Sequence, residues 1–144
     1  MKAAATIIGA VLLAVLAYLL LRGGDVAPVE GETGLSVPSG QEVRFLEFIG
    51  LGQGSDGLAV RFRFVAPAIS RDGGTVSAEA AQKDMEWLCN NYALERLPST
   101  GPVPAQIVIS MADRELPFGT QEPLATQFFE AFRIQDNACI WEAF

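Results

Sequence analysis

Residues 3–21, AAATIIGAVLLAVLAYLLL, run for nineteen positions without a charge. As a helix rising ~1.5 Å per residue they span roughly 28 Å, close to the ~30 Å hydrocarbon thickness of a bilayer. No later stretch is apolar for so long, so the chain beyond Arg22 must build a separate, water-facing domain. Lys2 supplies the basic start of a secretory signal, but the apolar run exceeds the usual ~7–15 residue core, and RGGDVAPVE offers no convincing small-residue cleavage site. The expectation is an uncleaved signal-anchor over residues 1–22, single-pass in the inner membrane. Lys2 precedes the span and Arg22 alone follows it, a modest bias that favours a cytoplasmic N-terminus and a periplasmic C-terminal domain. Ala10, Ala14 and Ala17 fall on one side at i, i+4, i+7, a small-residue stripe that lets membrane helices approach closely. Alanine is also simply common in such spans.

Formal net charge is −7 for 144 residues; without Lys2 and Arg22, 8 basic residues face 17 acidic ones, or −9 for residues 23–144. That balance argues against nucleic acid and against lying flat on anionic lipid. Histidine is absent. Its absence excludes Ser-His-Asp and Cys-His nucleophile systems, His-ligated zinc or copper, and His-held haem. Two cysteines are too few for a four-cysteine metal site. They suffice for one disulfide, which an extracytoplasmic compartment permits.

Residues 23–41 are rich in Gly, Pro and acid and read as a tether, leaving 42–144 as one domain. EVRFLEFIG (42–50) and LAVRFRFVA (58–66) are β-like, the second alternating with Leu58, Val60, Phe62 and Phe64 on one face and Arg61 and Arg63 on the other. Ser77 is a good N-cap for a helix over 78–96, with Glu79 in its first turn. Ala81, Met85, Leu88, Cys89 and Tyr92 form its apolar stripe; Trp87 and Leu94 fall opposite. QIVISM (106–111) is a strand, and the last segment reads as a hairpin turning at Asp136-Asn137 that pairs Phe132 with Trp141 and Ile134 with Cys139. The predicted fold class is α+β, β-β-α-β-β-β, with one long helix on a small antiparallel sheet.

Cys89 on the helix stripe and Cys139 on the hairpin's core face would be brought together by that packing, closing a loop of about 50 residues as a structural disulfide. Two buried thiols packing as small hydrophobes are the plainer alternative. GQGSDG (52–57) matches a dinucleotide fingerprint in letters, but a strand follows where a helix is needed, so it reads as a hairpin loop. Asp84 and Glu86 point about 200° apart on a helix, and Asp113 and Glu115 flank Arg114 in a connection, so neither pair makes a catalytic or metal site. Arg61 and Arg63 read either as a solubilising sheet face paired to residues such as Glu47 or as a patch for a partner's carboxylates. Trp87 and Leu94 either lie under the Pro-rich 98–105 crossing, the preferred reading, or are exposed and mark a protein interface.

VPSGQEVRFLEFI (37–49), VRFRFVAPAI (60–69), KDMEWLCNNYAL (83–94), LPFGTQEPLATQFFEAFRI (116–134) and CIWEAF (139–144) together resemble an uncharacterised family of small alphaproteobacterial proteins, a domain of unknown function. The likeness covers residues 37–144. It implies a Gram-negative envelope protein and carries no activity to transfer.

These readings point to a non-catalytic domain without cofactor or metal, an accessory or assembly subunit of a larger membrane complex, respiratory or transport. Its interface candidates are Trp87, Leu94, Arg61 and Arg63. An alternative is an acidic docking module that recruits a basic soluble partner such as a cytochrome c, which salt would weaken. A further alternative is a histidine-free carboxylate enzyme, which requires a cleft.

Overall fold

The computed structural model describes residues 32–55 and 57–143. Five strands, β1 (Arg44–Gln53), β2 (Leu58–Val65), β3 (Gln106–Ala112), β4 (Gln127–Gln135) and β5 (Ala138–Glu142), form one sheet in the order β1-β2-β3-β4-β5. The helix α1 (Ala78–Leu88) lies between β2 and β3 in the chain and continues through a π turn, Cys89–Ala93, and a 3₁₀ turn, Leu94–Arg96. The element order is the predicted one. The sheet, however, is mixed rather than antiparallel, because β2 and β3 pair in parallel. The reason is the crossover. A helix between two neighbouring strands carries the chain back along the sheet, so the second strand starts where the first did.

α1 begins as its sequence dictates. The Ser77 side chain accepts from the Ala80 amide at 3.2 Å, and Glu79 sits in the first turn. Its buried stripe, Ala81, Met85, Leu88, Cys89 and Tyr92, packs on the sheet: α1 lies over β3 and β4, and Tyr92 reaches the even-numbered aromatic side chains of β2. There Phe45, Phe62, Phe64 and Tyr92 stack in an aromatic cluster with ring centroids 5.4–6.3 Å apart. The winding then loosens. Asn90 and Asn91 donate to the Glu86 and Trp87 carbonyls, taking the acceptors that the next turn of α-helix would share.

The last hairpin pairs Phe132 with Trp141 and Ile134 with Cys139 across a turn in which Asp136 (φ 51°) and Asn137 (φ 58°) both take the left-handed conformation. Positive φ at both central residues is what a two-residue hairpin matching strand twist demands, and Asp and Asn tolerate it best after glycine. Cys89 and Cys139 are joined in a disulfide, with Cα atoms 6.1 Å apart. Beside it the Asn90 side chain accepts from the Cys139 amide at 3.0 Å.

Residues 32–41, read from composition as the end of the tether, pack on the domain. Val37 is buried, Glu32 accepts from the Tyr92 hydroxyl at 2.8 Å, and Asp84 accepts from Ser39 and Gln41. Burial, and next the bond to Glu32, push the Tyr92 phenol well above the ordinary tyrosine range, so it stays a donor. Among the described residues no helix is long and apolar enough to cross a membrane. The anchor expected at 1–22 and its stripe of Ala10, Ala14 and Ala17 lie outside the described residues, as does the first part of the tether.

Candidate functional site

Alternation along β2 sends Phe62 and Phe64 to the helix and Arg61 and Arg63 to the opposite face of the sheet. On that face the chain from Asp113 to Thr126 folds back over the strands. Its two ends are joined where the Asp113 amide donates to the Thr126 carbonyl at 3.0 Å. Three arginines hold it down by its backbone. Arg63 donates to the Leu116 carbonyl at 2.7 Å, Arg71 to those of Pro123 and Ala125 at 2.8 and 3.1 Å, and Arg114 to that of Leu124 at 3.5 Å. A loop whose carbonyls are held by an arginine of β2, by Arg71 after that strand and by its own Arg114 is a preformed wall.

Between this wall and the sheet lies a groove of about 680 Å³, lined among others by Arg61, Arg63, Ser110, Phe118, Gln127 and Phe129. A second cavity of about 320 Å³ shares Arg61, Phe118 and Phe129 with it and extends toward Gly54 and Gln106. Phe118 and Phe129 are 56% and 49% exposed as residues, so the groove offers an apolar surface to solvent.

The two arginines at its base differ. Arg63 is buried and ion-paired to Glu47, its cross-strand neighbour in the β1–β2 register. Arg61 has no hydrogen-bond acceptor and no carboxylate partner among the described residues. Its guanidinium carbon lies 5.8 Å from the Phe118 ring centroid and 5.4 Å from that of Phe129. Burial, and secondarily the charge of Arg63, lower its pKa, although a guanidinium remains protonated throughout the physiological range. Ring faces attract a cation but accept none of its five N–H donors in the way an oxygen does.

The other expected interface residues are placed differently. Trp87 and Leu94 are partly buried and pack against the core cluster. Asp84 is fully buried and accepts from the Ser39 amide at 2.9 Å, the Ser39 hydroxyl at 2.5 Å and the Gln41 side chain at 2.6 Å, a structural duty that leaves no lone pair aimed at solvent. Asp113 pairs with Arg114 at 2.9 Å and Glu115 with Arg44, so these two carboxylates hold separate cations. No group of three or more Asp, Glu or Cys among the described residues is arranged to hold a metal ion. Phe118 and Phe129 were missed by periodicity: one lies in an irregular loop, and the other sits on the solvent side of its strand. The only signal for them was an aromatic where a polar residue belongs.

Residues 20–144 match the model of the Family of unknown function (DUF6497). The chain belongs to that family. The matched span takes in both cysteines, all five strands and the groove-lining residues of this chain. No curated protein matches the chain. No solved structure matches it either.

Proposed function

We propose that the chain is a non-catalytic, membrane-anchored periplasmic domain that serves as an accessory or assembly subunit of a larger membrane complex of the Gram-negative envelope. The observation that carries this reading is the outermost strand, β5. Its outer edge pairs with no other strand among the described residues, and it exposes Ile140 by 39% on one face and Trp141 by 47% on the other. A bare strand edge with large apolar side chains is a hazard for a free-standing protein and a docking rail for a subunit, since a partner strand can add to it. The opposite edge is protected by two irregularities in β1, between Phe45 and Glu47 and between Ile49 and Gly52.

Two further features support the location. The uncharged run over residues 3–21 has the length of a membrane span. The disulfide joining Cys89 to Cys139 belongs with an oxidising compartment such as the periplasm. Gentle detergent extraction of the full chain from envelope membranes, followed by co-purification and native mass analysis, tests the reading. The expected result is a stoichiometric complex that Trp141→Lys dissolves. Migration as a lone monomer of the chain's own mass overturns it.

A further inference from the structure

The groove over β2–β4 carries an inference independent of the docking edge. We propose that it is a binding site for a small organic carboxylate with an apolar or aromatic body, Arg61 receiving the carboxylate and Phe118 and Phe129 flanking the body. Four observations converge. Arg61 is half-buried at the floor of the groove without an acceptor among the described residues, while its neighbour Arg63 is neutralised by Glu47. A charge partly withdrawn from water and left without a counter-charge is unfavourable unless a ligand supplies one. The walls beside it are two largely exposed phenylalanines, which suit an apolar body and not a hydrated ion. The volume of about 680 Å³ falls within the ~300–1,000 Å³ range of small-molecule sites. Finally, the loop forming one wall is pinned by Arg63, Arg71 and Arg114, so binding need not order it.

The charge count selects the ligand class. One unpaired guanidinium, with the Glu47 carboxylate on the neighbouring arginine, matches a single negative charge. A phosphate dianion ordinarily gathers several cations or backbone N–H groups, and the Glu122 carboxylate that lines the same groove would repel it more than a monoanion. The planar fork of Arg61 fits a planar carboxylate in bidentate fashion. Ser110 and Gln127, lining the same cavity, offer hydrogen bonds to a second polar group on the ligand.

The test is a titration of the full chain in phosphatidylcholine nanodiscs with phenylacetate, read by calorimetry and by the arginine side-chain N–H resonances. We expect saturable binding with a dissociation constant of about a millimolar or tighter, as a ligand of this size allows. Phenylacetamide, which has the same body without the charge, should bind at least about tenfold more weakly. Arg61→Gln should weaken phenylacetate by a similar factor, while Lys83→Gln on the opposite side of the domain leaves it unchanged. Equal binding of acid and amide overturns the assignment even if the arginine variant fails to fold. So does the absence of saturation at ten times the expected constant, or equal competition by inorganic phosphate.

Discussion

Asp113 is the residue at which the two ends of the groove's wall are clasped together. Its amide donates to Thr126, and its carboxylate, largely buried, takes two hydrogen bonds from Arg114 at 2.9 and 3.1 Å. The bond to Arg114 is the main reason its carboxyl is held below the ordinary carboxylate range; burial opposes the shift without cancelling it. A folded-state value below the unfolded one of about 3.9 stabilises the fold fully at neutral pH. That contribution drains away as pH falls from about 4 through the lower folded value. Asp113→Asn should therefore melt below the parent protein at pH 7, and the gap should close on descent toward pH 2. Thermal melts across that range decide the matter, and a gap that stays constant with pH would show that the carboxylate's charge is not what fastens the loop. Arg61 and Arg63 make the same point about residue-level context. Alternation places both on one face, yet Glu47 and the Leu116 carbonyl claim only the second.

At the scale of elements, Asp84 acts as a latch between α1 and the segment that leads into β1. A buried carboxylate with no ion-paired cation among the described residues depends on its three hydrogen bonds, two from Ser39 and one from Gln41. Hydrogen bonds to a charged group are worth about 1.5–3 kcal/mol each at most, and they are not additive. Asp84→Ala should cost on the order of 3 kcal/mol overall and should free residues 35–43 before the sheet opens. Hydrogen exchange reads this directly: faster amides at Ser39 and Gln41, unchanged ones at Phe62 and Ile109. Uniform acceleration across the domain would refute the latch. This element also marks the limit of what the sequence discloses. Helix, cap, hairpin register and disulfide partners were legible because each follows from local periodicity or turn chemistry. Asp136-Asn137 fixes the register, and Ser77 fixes the helix start. The tether's true end was hidden, because ETGLSVPSGQ (32–41) looks loose by composition and is anchored by side chains more than forty positions away. The parallel pairing of β2 with β3 and the groove were hidden for the same reason: both depend on where a crossover or a loop lands. Trp141 shows the intermediate case. Its face was legible, its exposure was not, since a core-facing residue on an edge strand need not be covered.

For the molecule as a whole, the disulfide decides whether β5 stays in place to serve as an edge. β5 has five residues, pairs with β4 alone among the described strands, gains one side-chain bond from Gln106 of β3 to Glu142, and exposes side chains on both faces, so its burial is too small to hold it firmly. Cys139 ties it to α1 at Cys89, across 50 residues of sequence, and Asn90 adds a bond from the same turn. Closing a loop of that length restricts the unfolded chain by about 4 kcal/mol in the loop-entropy account, a large share of the ~5–15 kcal/mol net stability of an ordinary domain. Replacing both cysteines with alanine should lower Tm by on the order of 15 °C, and reducing the native protein should produce a similar drop. Hydrogen exchange below the melting transition should show the hairpin amides of 135–142 opening first, with β2 and β3 still protected. A loss of only ~3 °C would mean that α1 and the hairpin hold each other without the covalent link. If instead the hairpin alone loosens, the bond's role is specific: it keeps a short edge strand in place against β4.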